Sequence, residues 1–150
     1  MDRTFFKRMS VSEYRVWVEE KEKKLKQVAD LTGNQIPLDY SLTSISQLCN
    51  WLIKTYNTLK EAHNDDGIRI LDTIAVYVGE TFIHHFGGSW VLETDDQMYS
   101  YGFPGIMYYK TNRQNAIPEY PHSWVTTTIH RRSCFILDRF LSVGDYSSED

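Results

Sequence analysis

An α+β fold is predicted for this 150-residue chain, with helices packed around a small three-stranded antiparallel sheet. Three observations carry that expectation. Apolar residues recur at three- and four-residue steps in several stretches, the period of a helix. From Trp90 the period drops to two, in short runs rich in strand formers and separated by turn residues. Between the two regimes stand Gly87 and Gly88, which can adopt positive φ and end a helix. A single domain over residues 1–150 is expected, since a chain of this length buries about 68–70% of its unfolded surface. No linker or internal repeat divides it.

The first helix is placed at about 10–31. Ser10 and Glu13 have the spacing of a capping box, Tyr14, Trp17, Val18, Leu25 and Val28 form its apolar stripe, and Gly33 is the stop. Residues 1–9 are expected to be frayed. Pro37 disfavours helix at Ile36, so 34–43 reads as an extended connector. Ser41 or Ser44 then caps a second helix to about residue 59, with Ile45, Leu48, Cys49, Leu52 and Tyr56 on one side. The third helix, about 67–86, is apolar nearly all round, as expected of a central buried element; Leu71, Ile74, Val78 and Phe82 are its anchors. Asp65 and Asp66 sit favourably at its N-terminus. Gly79 lies inside it at a cost of about 1 kcal/mol relative to Ala, which points to close approach by another helix or an aromatic ring. Strands follow at about 89–93, 98–103 and 105–110, a meander broken by turns at Thr94–Asp96 and Phe103–Gly105. After a loop to Pro121, a last helical region at about 122–141 rests on Ile136, Leu137, Phe140 and Leu141. The poor helix formers Thr126–Thr128 suggest that it splits in two. Residues 143–150 read as a frayed acidic tail.

Charge narrows the function classes. The net charge is −4, but residues 1–63 sum to +2 and residues 64–150 to −6. No basic face serves nucleic acid, and the lysines of the run Lys21–Lys26 are interleaved with glutamates at i,i+4, the pattern of a solvated helix face. No apolar run reaches the roughly 18 residues of a membrane span, and the N-terminus lacks a signal-peptide core. Cys49 and Cys134 lie far apart in apolar helical patterns and read as buried free thiols, which fits a reducing cytoplasm. A cytoplasmic location is therefore expected.

Chemistry-bearing motifs are few. Glu80 and His84 lie one helical turn apart with His85 beside them, a spacing that could hold a metal or serve an enzyme of unknown type. A metal needs a third ligand, and His63, His122 and His130 stand alone in the sequence, so no metal, cofactor or catalytic residue is assigned. No serine lies in a nucleophile elbow, and Gly87–Gly88 follows a helix where a phosphate loop would precede one. The aromatic residues point to binding. Tyr99, Tyr101 and Tyr108 share the sheet with other large rings that cannot all face inward. Either the last helices cover them, or they form a contact face, for which tyrosine is well suited. In the second case Glu93, Asp95 and Asp96 form an acidic rim that would draw a basic protein partner.

The stretches LDYSLTSISQLCNWL (38–52) and YVGETFIHHFGGSW (77–90) resemble a pattern of small bacterial proteins in which a YxGE helix runs into GGxW and a small sheet. Several such groups are similar to immunity proteins of bacterial toxin systems. The resemblance implies a non-catalytic cytosolic binding protein that neutralises a toxin by direct contact, and it assigns no site residue. The alternatives are an enzyme using Glu80 with His84 or His85, and a homo-oligomeric structural subunit.

Overall fold

The computed structural model describes residues 5–108 and 118–148, with backbone alone from 145. In chain order these form α1 (Val11–Glu19), α2 (Lys21–Leu31), α3 (Leu42–Thr55), a 3-10 turn (Leu59–Ala62), α4 (Asp65–Phe86), β1 (Ser89–Leu92), β2 (Pro104–Met107), α5 (Pro121–Arg131) and α6 (Phe135–Ser148). The α+β class holds.

The central helix is α4, as its all-round apolar pattern predicts. Asn64 caps it by accepting from the Gly67 N–H at 2.9 Å, with Asp65 and Asp66 in the first turn. Gly87, at φ 77°, ends it, its N–H returning to the Ile83 carbonyl at 2.7 Å. Between these caps Leu71, Ile74, Val78 and Phe82 are wholly buried. The Phe82 ring meets Tyr108, Trp124 and Phe140 at centroid distances of 5.2, 5.6 and 5.5 Å. α2 packs on one side of α4 and α5 on the other, α3 and α6 pack on α5, and β2 lies against both α4 and α5. Gly79 is where α4 admits the hairpin, because a Cβ there would stand 2.1 Å from the Trp90 ring. That is the close aromatic approach its sequence position suggests.

The sheet has two strands among the described residues. β1 pairs directly with β2, with Trp90 opposite Ile106 and Leu92 opposite Pro104. The expected middle strand, 98–103, is instead the end of a long hairpin loop. Its turns close through Tyr101 N–H to Met98 O at 3.1 Å and Phe103 N–H to Ser100 O at 3.0 Å. The alternating rings of Tyr99, Tyr101 and Phe103 imitate a strand, but Gly102 sits at φ 78° and Pro104 has no N–H to offer a ladder. On its other side β2 makes a single antiparallel bridge, Ile106 to Glu119. Residues 109–110 of the expected third strand lie outside the described residues.

Helix boundaries differ in informative ways. The expected helix 10–31 bends at Glu20 (φ −89°, ψ −1°) into α1 and α2, and its capping box is present. α3 starts under Ser41 and stops at Thr55, where Tyr56 turns extended. The threonine run does not break α5: Thr126 and Thr128 return hydroxyl hydrogen bonds to carbonyls three or four residues back. The split comes at Arg132, in the left-handed region at φ 58°. Its guanidinium caps the open end of α3 by donating to the carbonyls of Ile53, at 2.6 Å, and Tyr56.

Both ends join the fold over the described residues. Phe5 is 2% exposed, and the Met9 N–H donates to Gly102 O at 2.8 Å. α6 runs to Ser148 and buries Val143. The sequence shows no periodicity in so short an N-terminal piece, although Phe5 and Phe6 supply enough apolar area to dock it. Residues 1–4 and 149–150 lie outside the described residues. Cys49 and Cys134 are not free thiols: they form a disulfide, Cα–Cα 5.3 Å, tying α3 to the start of α6. Distance in sequence misleads here, because α3 and α6 are neighbours in space.

Candidate functional site

The predicted contact residues divide between surface and core. Tyr99 is 75% exposed, and Met98 and Tyr101 are exposed beside it. Asp95 and Asp96 are exposed as well, while Glu93 is half-buried. Tyr108 does not belong to this face. It follows β2 on the side that meets α4, is 3% exposed, and sets its ring edge-on to Phe82. Tyr108 is thus packed against α4, while Tyr99 and Tyr101 lie outside.

The loop is held in a defined shape. Asp95 accepts from the Gln97 N–H at 3.0 Å, a local turn bond of the kind Asp favours. Gly102 N–H donates to Glu93 O at 2.8 Å, and Glu93 N–H to Phe103 O at 3.3 Å, which closes the neck. Arg8 then reaches over from the N-terminal segment. Its guanidinium donates to the Tyr101 carbonyl and lies over the rings of Phe103, at 4.8 Å, and Tyr101, at 5.8 Å. The clamp engages the Arg8 guanidinium with carbonyls and ring faces.

Glu80, His84 and His85 are each engaged in holding the fold. Glu80 accepts from Trp90 Nε1 at 2.7 Å and faces Lys21 Nζ at 3.6 Å. His84 stacks on Tyr40 with 5.5 Å between centroids, and His85 Nε2 is 2.7 Å from the Tyr40 carbonyl. Tyr40 also stacks on Tyr77, whose hydroxyl accepts from Tyr40 N–H at 3.0 Å and shares a hydrogen bond with Ser44 at 2.7 Å. Among the described residues, no three His, Cys, Asp or Glu side chains are grouped to hold a metal.

A second constellation lies where the sequence gives little warning. Asp72, a carboxylate on the largely apolar α4, accepts from Trp17 Nε1 at 2.9 Å and lies 2.7 Å from His122 Nε2. Lys24 Nζ sits 2.9 Å from its second oxygen. Burial pushes the Asp72 carboxyl up, but the hydrogen bond and charge of His122 and the Lys24 ammonium outweigh burial and hold it far below the usual range. His122 therefore has a partner, contrary to its isolated look in the sequence. The only signals were a polar residue interrupting an apolar helix and the shared α1–α2 face of Trp17 and Lys24. Asp72 and His122 line a cleft of about 410 Å³ between the N-terminal segment, α1, α2 and α4.

No protein-family model, curated protein or solved structure matches the chain. The residues of the motifs quoted above have architectural tasks. LDYS places Tyr40 against Tyr77 and Ser41 at the cap of α3, and YxGE supplies Tyr77, the Gly79 notch and Glu80. GGxW brings Trp90 into that notch. None of the described helices is long and apolar enough to cross a membrane.

Proposed function

We propose that the protein acts by binding a basic protein surface through the loop between β1 and β2, and that neutralising a toxin is the role the motif resemblance implies. One observation carries the reading: an exposed Met98–Tyr99–Tyr101 patch beside Asp95 and Asp96, on a loop pinned by its neck and by Arg8. Large rings on a pre-shaped loop bind at little cost in conformational freedom. Carboxylates at their edge raise the association rate with a cationic partner.

The test uses the product of the gene beside this one, purified and titrated by surface plasmon resonance. Tyr99→Ala should leave association nearly unchanged and speed dissociation about tenfold or more, the behaviour of a hot spot. Asp95→Lys with Asp96→Lys should lower the association rate and flatten its salt dependence. A neighbour that is a metabolic enzyme and does not bind, or a toxin bound equally well by all three proteins at low salt, refutes the reading.

The compartment belongs to the same proposal. A cytosolic location was expected from free thiols, and the Cys49–Cys134 bond removes that support. A lasting disulfide favours an oxidising compartment. Alkylating thiols before lysis and weighing the protein distinguishes the two, because a cytosolic protein would carry two blocked cysteines.

A further inference from the structure

The Asp72–His122 cleft is independent of the loop reading, and His122 on its wall carries a buried polar atom that no described residue satisfies. Asp72 is ionised and can only accept, so His122 must present Nε2–H to it. That fixes the ring and leaves Nδ1 facing away from the carboxylate. Nδ1 is buried and finds no hydrogen-bond partner among the described residues, on a residue only 5% exposed. Buried polar atoms are nearly always paired, so an orphan calls for an explanation.

Three features define what could pair with it. The volume, about 410 Å³, lies within the range of small-molecule sites. The walls include Phe6, Trp17, Phe103 and Ile68, which suit a flat apolar body. The charges lining the cleft are Lys7, Lys24 and Arg69 against Asp65 and Asp72. Lys24 and Asp72 pair at 2.9 Å, which leaves Lys7 and Arg69 against Asp65 towards the rim. Arg69 is free to turn inward, because its pairing with Asp66 is a 3.8 Å contact between exposed groups.

We propose that the cleft binds a small aromatic monoacid bearing a hydroxyl group. The ring lies among Phe6, Trp17 and Phe103, the carboxylate meets Lys7 and Arg69, and the hydroxyl pairs with His122 Nδ1. A hydroxyl suits that nitrogen in either protonation state, since it can donate to the bare lone pair or accept from N–H. Phe6, half-buried and edge-on to His122 at 4.9 Å, is the side chain that must rotate to admit it.

The experiment titrates the ¹⁵N-labelled full-length protein with 4-hydroxybenzoate, benzoate and phenol. The imidazole nitrogens are followed by long-range ¹H–¹⁵N correlation and affinities by calorimetry. With 4-hydroxybenzoate the His122 resonances should move saturably, Nδ1 more than Nε2. Benzoate should bind at least about tenfold more weakly, because it leaves Nδ1 unpaired. The double variant Lys7→Ala, Arg69→Ala changes only exposed side chains, so folding is retained. It should weaken 4-hydroxybenzoate about tenfold and leave phenol unchanged. No saturable shift at His122, equal affinity for 4-hydroxybenzoate and benzoate, or an unaltered affinity in the rim variant overturns the proposal. The first of these assigns Nδ1 to a buried water.

Discussion

Replacing Gly79 by alanine sets two effects of known size against each other. Alanine favours a helix interior over glycine by about 1 kcal/mol. Its Cβ, however, would stand 2.1 and 2.3 Å from two ring carbons of Trp90 and 3.2 Å from Ile106 Cδ1, where carbon atoms prefer about 3.5–4.0 Å. The indole must move outward by more than an ångström, and it is tethered. Its Nε1 donates to Glu80 at 2.7 Å, and its ring meets Trp17 edge-on at 4.9 Å. Overpacking of this kind costs about 1–3 kcal/mol, and losing a hydrogen bond to a carboxylate about 1.5–3 kcal/mol. Packing wins, and Gly79→Ala should destabilise by about 2 kcal/mol or more. In a Trp90→Leu background the obstacle is gone, so the same change should be neutral or stabilising by up to about 1 kcal/mol. Urea unfolding followed by far-UV circular dichroism measures all four corners of the cycle. The reasoning fails if Gly79→Ala stabilises the wild-type chain, or if the coupling with Trp90 is below about 0.5 kcal/mol.

Three further outcomes follow from the same packing. Reducing the disulfide, or replacing Cys49 and Cys134 by alanine, should cost about 2–5 kcal/mol, since the bond closes a sequence separation of 85 residues; urea midpoints with and without reductant check it. Asp72 is held ionised, so its contribution is complete above the unfolded carboxyl pKa of about 3.9 and is lost as pH falls below that value. Asp72→Asn should therefore lower stability at neutral pH by about 2–3 kcal/mol, less than for a fully buried pair because the carboxylate keeps 22% exposure, and should flatten the acid limb; an unchanged limb refutes it. Phe5→Ala should cost about 3–5 kcal/mol despite its place near the chain end, and a loss below about 1 kcal/mol would mean that the N-terminal segment is not docked.

Periodicity served well where one residue type dominates a face. α4 could be read along its apolar length to the Gly87 stop, while its start at Asp65, under the Asn64 cap, comes two residues before the expected 67. Gly79 could be read because glycine inside a helix demands a reason. The hairpin was misread for the opposite cause. Alternating rings in 99–103 satisfy the strand pattern, and the positive φ of Gly102 and the local turn bonds that show the chain turning are not written in that pattern. The cysteine pairing was hidden because it depends on α3 meeting α6, a tertiary fact that local pattern does not encode. Asp72 and His122 were hidden for the same reason: they lie 50 positions apart, and each alone looks like an incidental polar residue.

The N-terminal segment joins the two candidate surfaces. Phe5 is its anchor, in the core and stacked on His63 at 5.3 Å. The next two residues, Phe6 and Lys7, line the cleft, while Arg8 and Met9 bond the loop at Tyr101 and Gly102. Phe103 belongs to both, as a cleft wall and as the ring beneath Arg8. A protein seated on the loop and a small acid in the cleft would therefore both act on this one segment. Phe6 and Arg8 are two residues apart on this segment, so the cleft wall and the clamp on the turn that presents Tyr99 share one stretch of backbone. Any change that one ligand makes to the affinity of the other must be returned by the same factor. The sign depends on whether the docked Phe6 or the displaced one leaves Arg8 over Phe103.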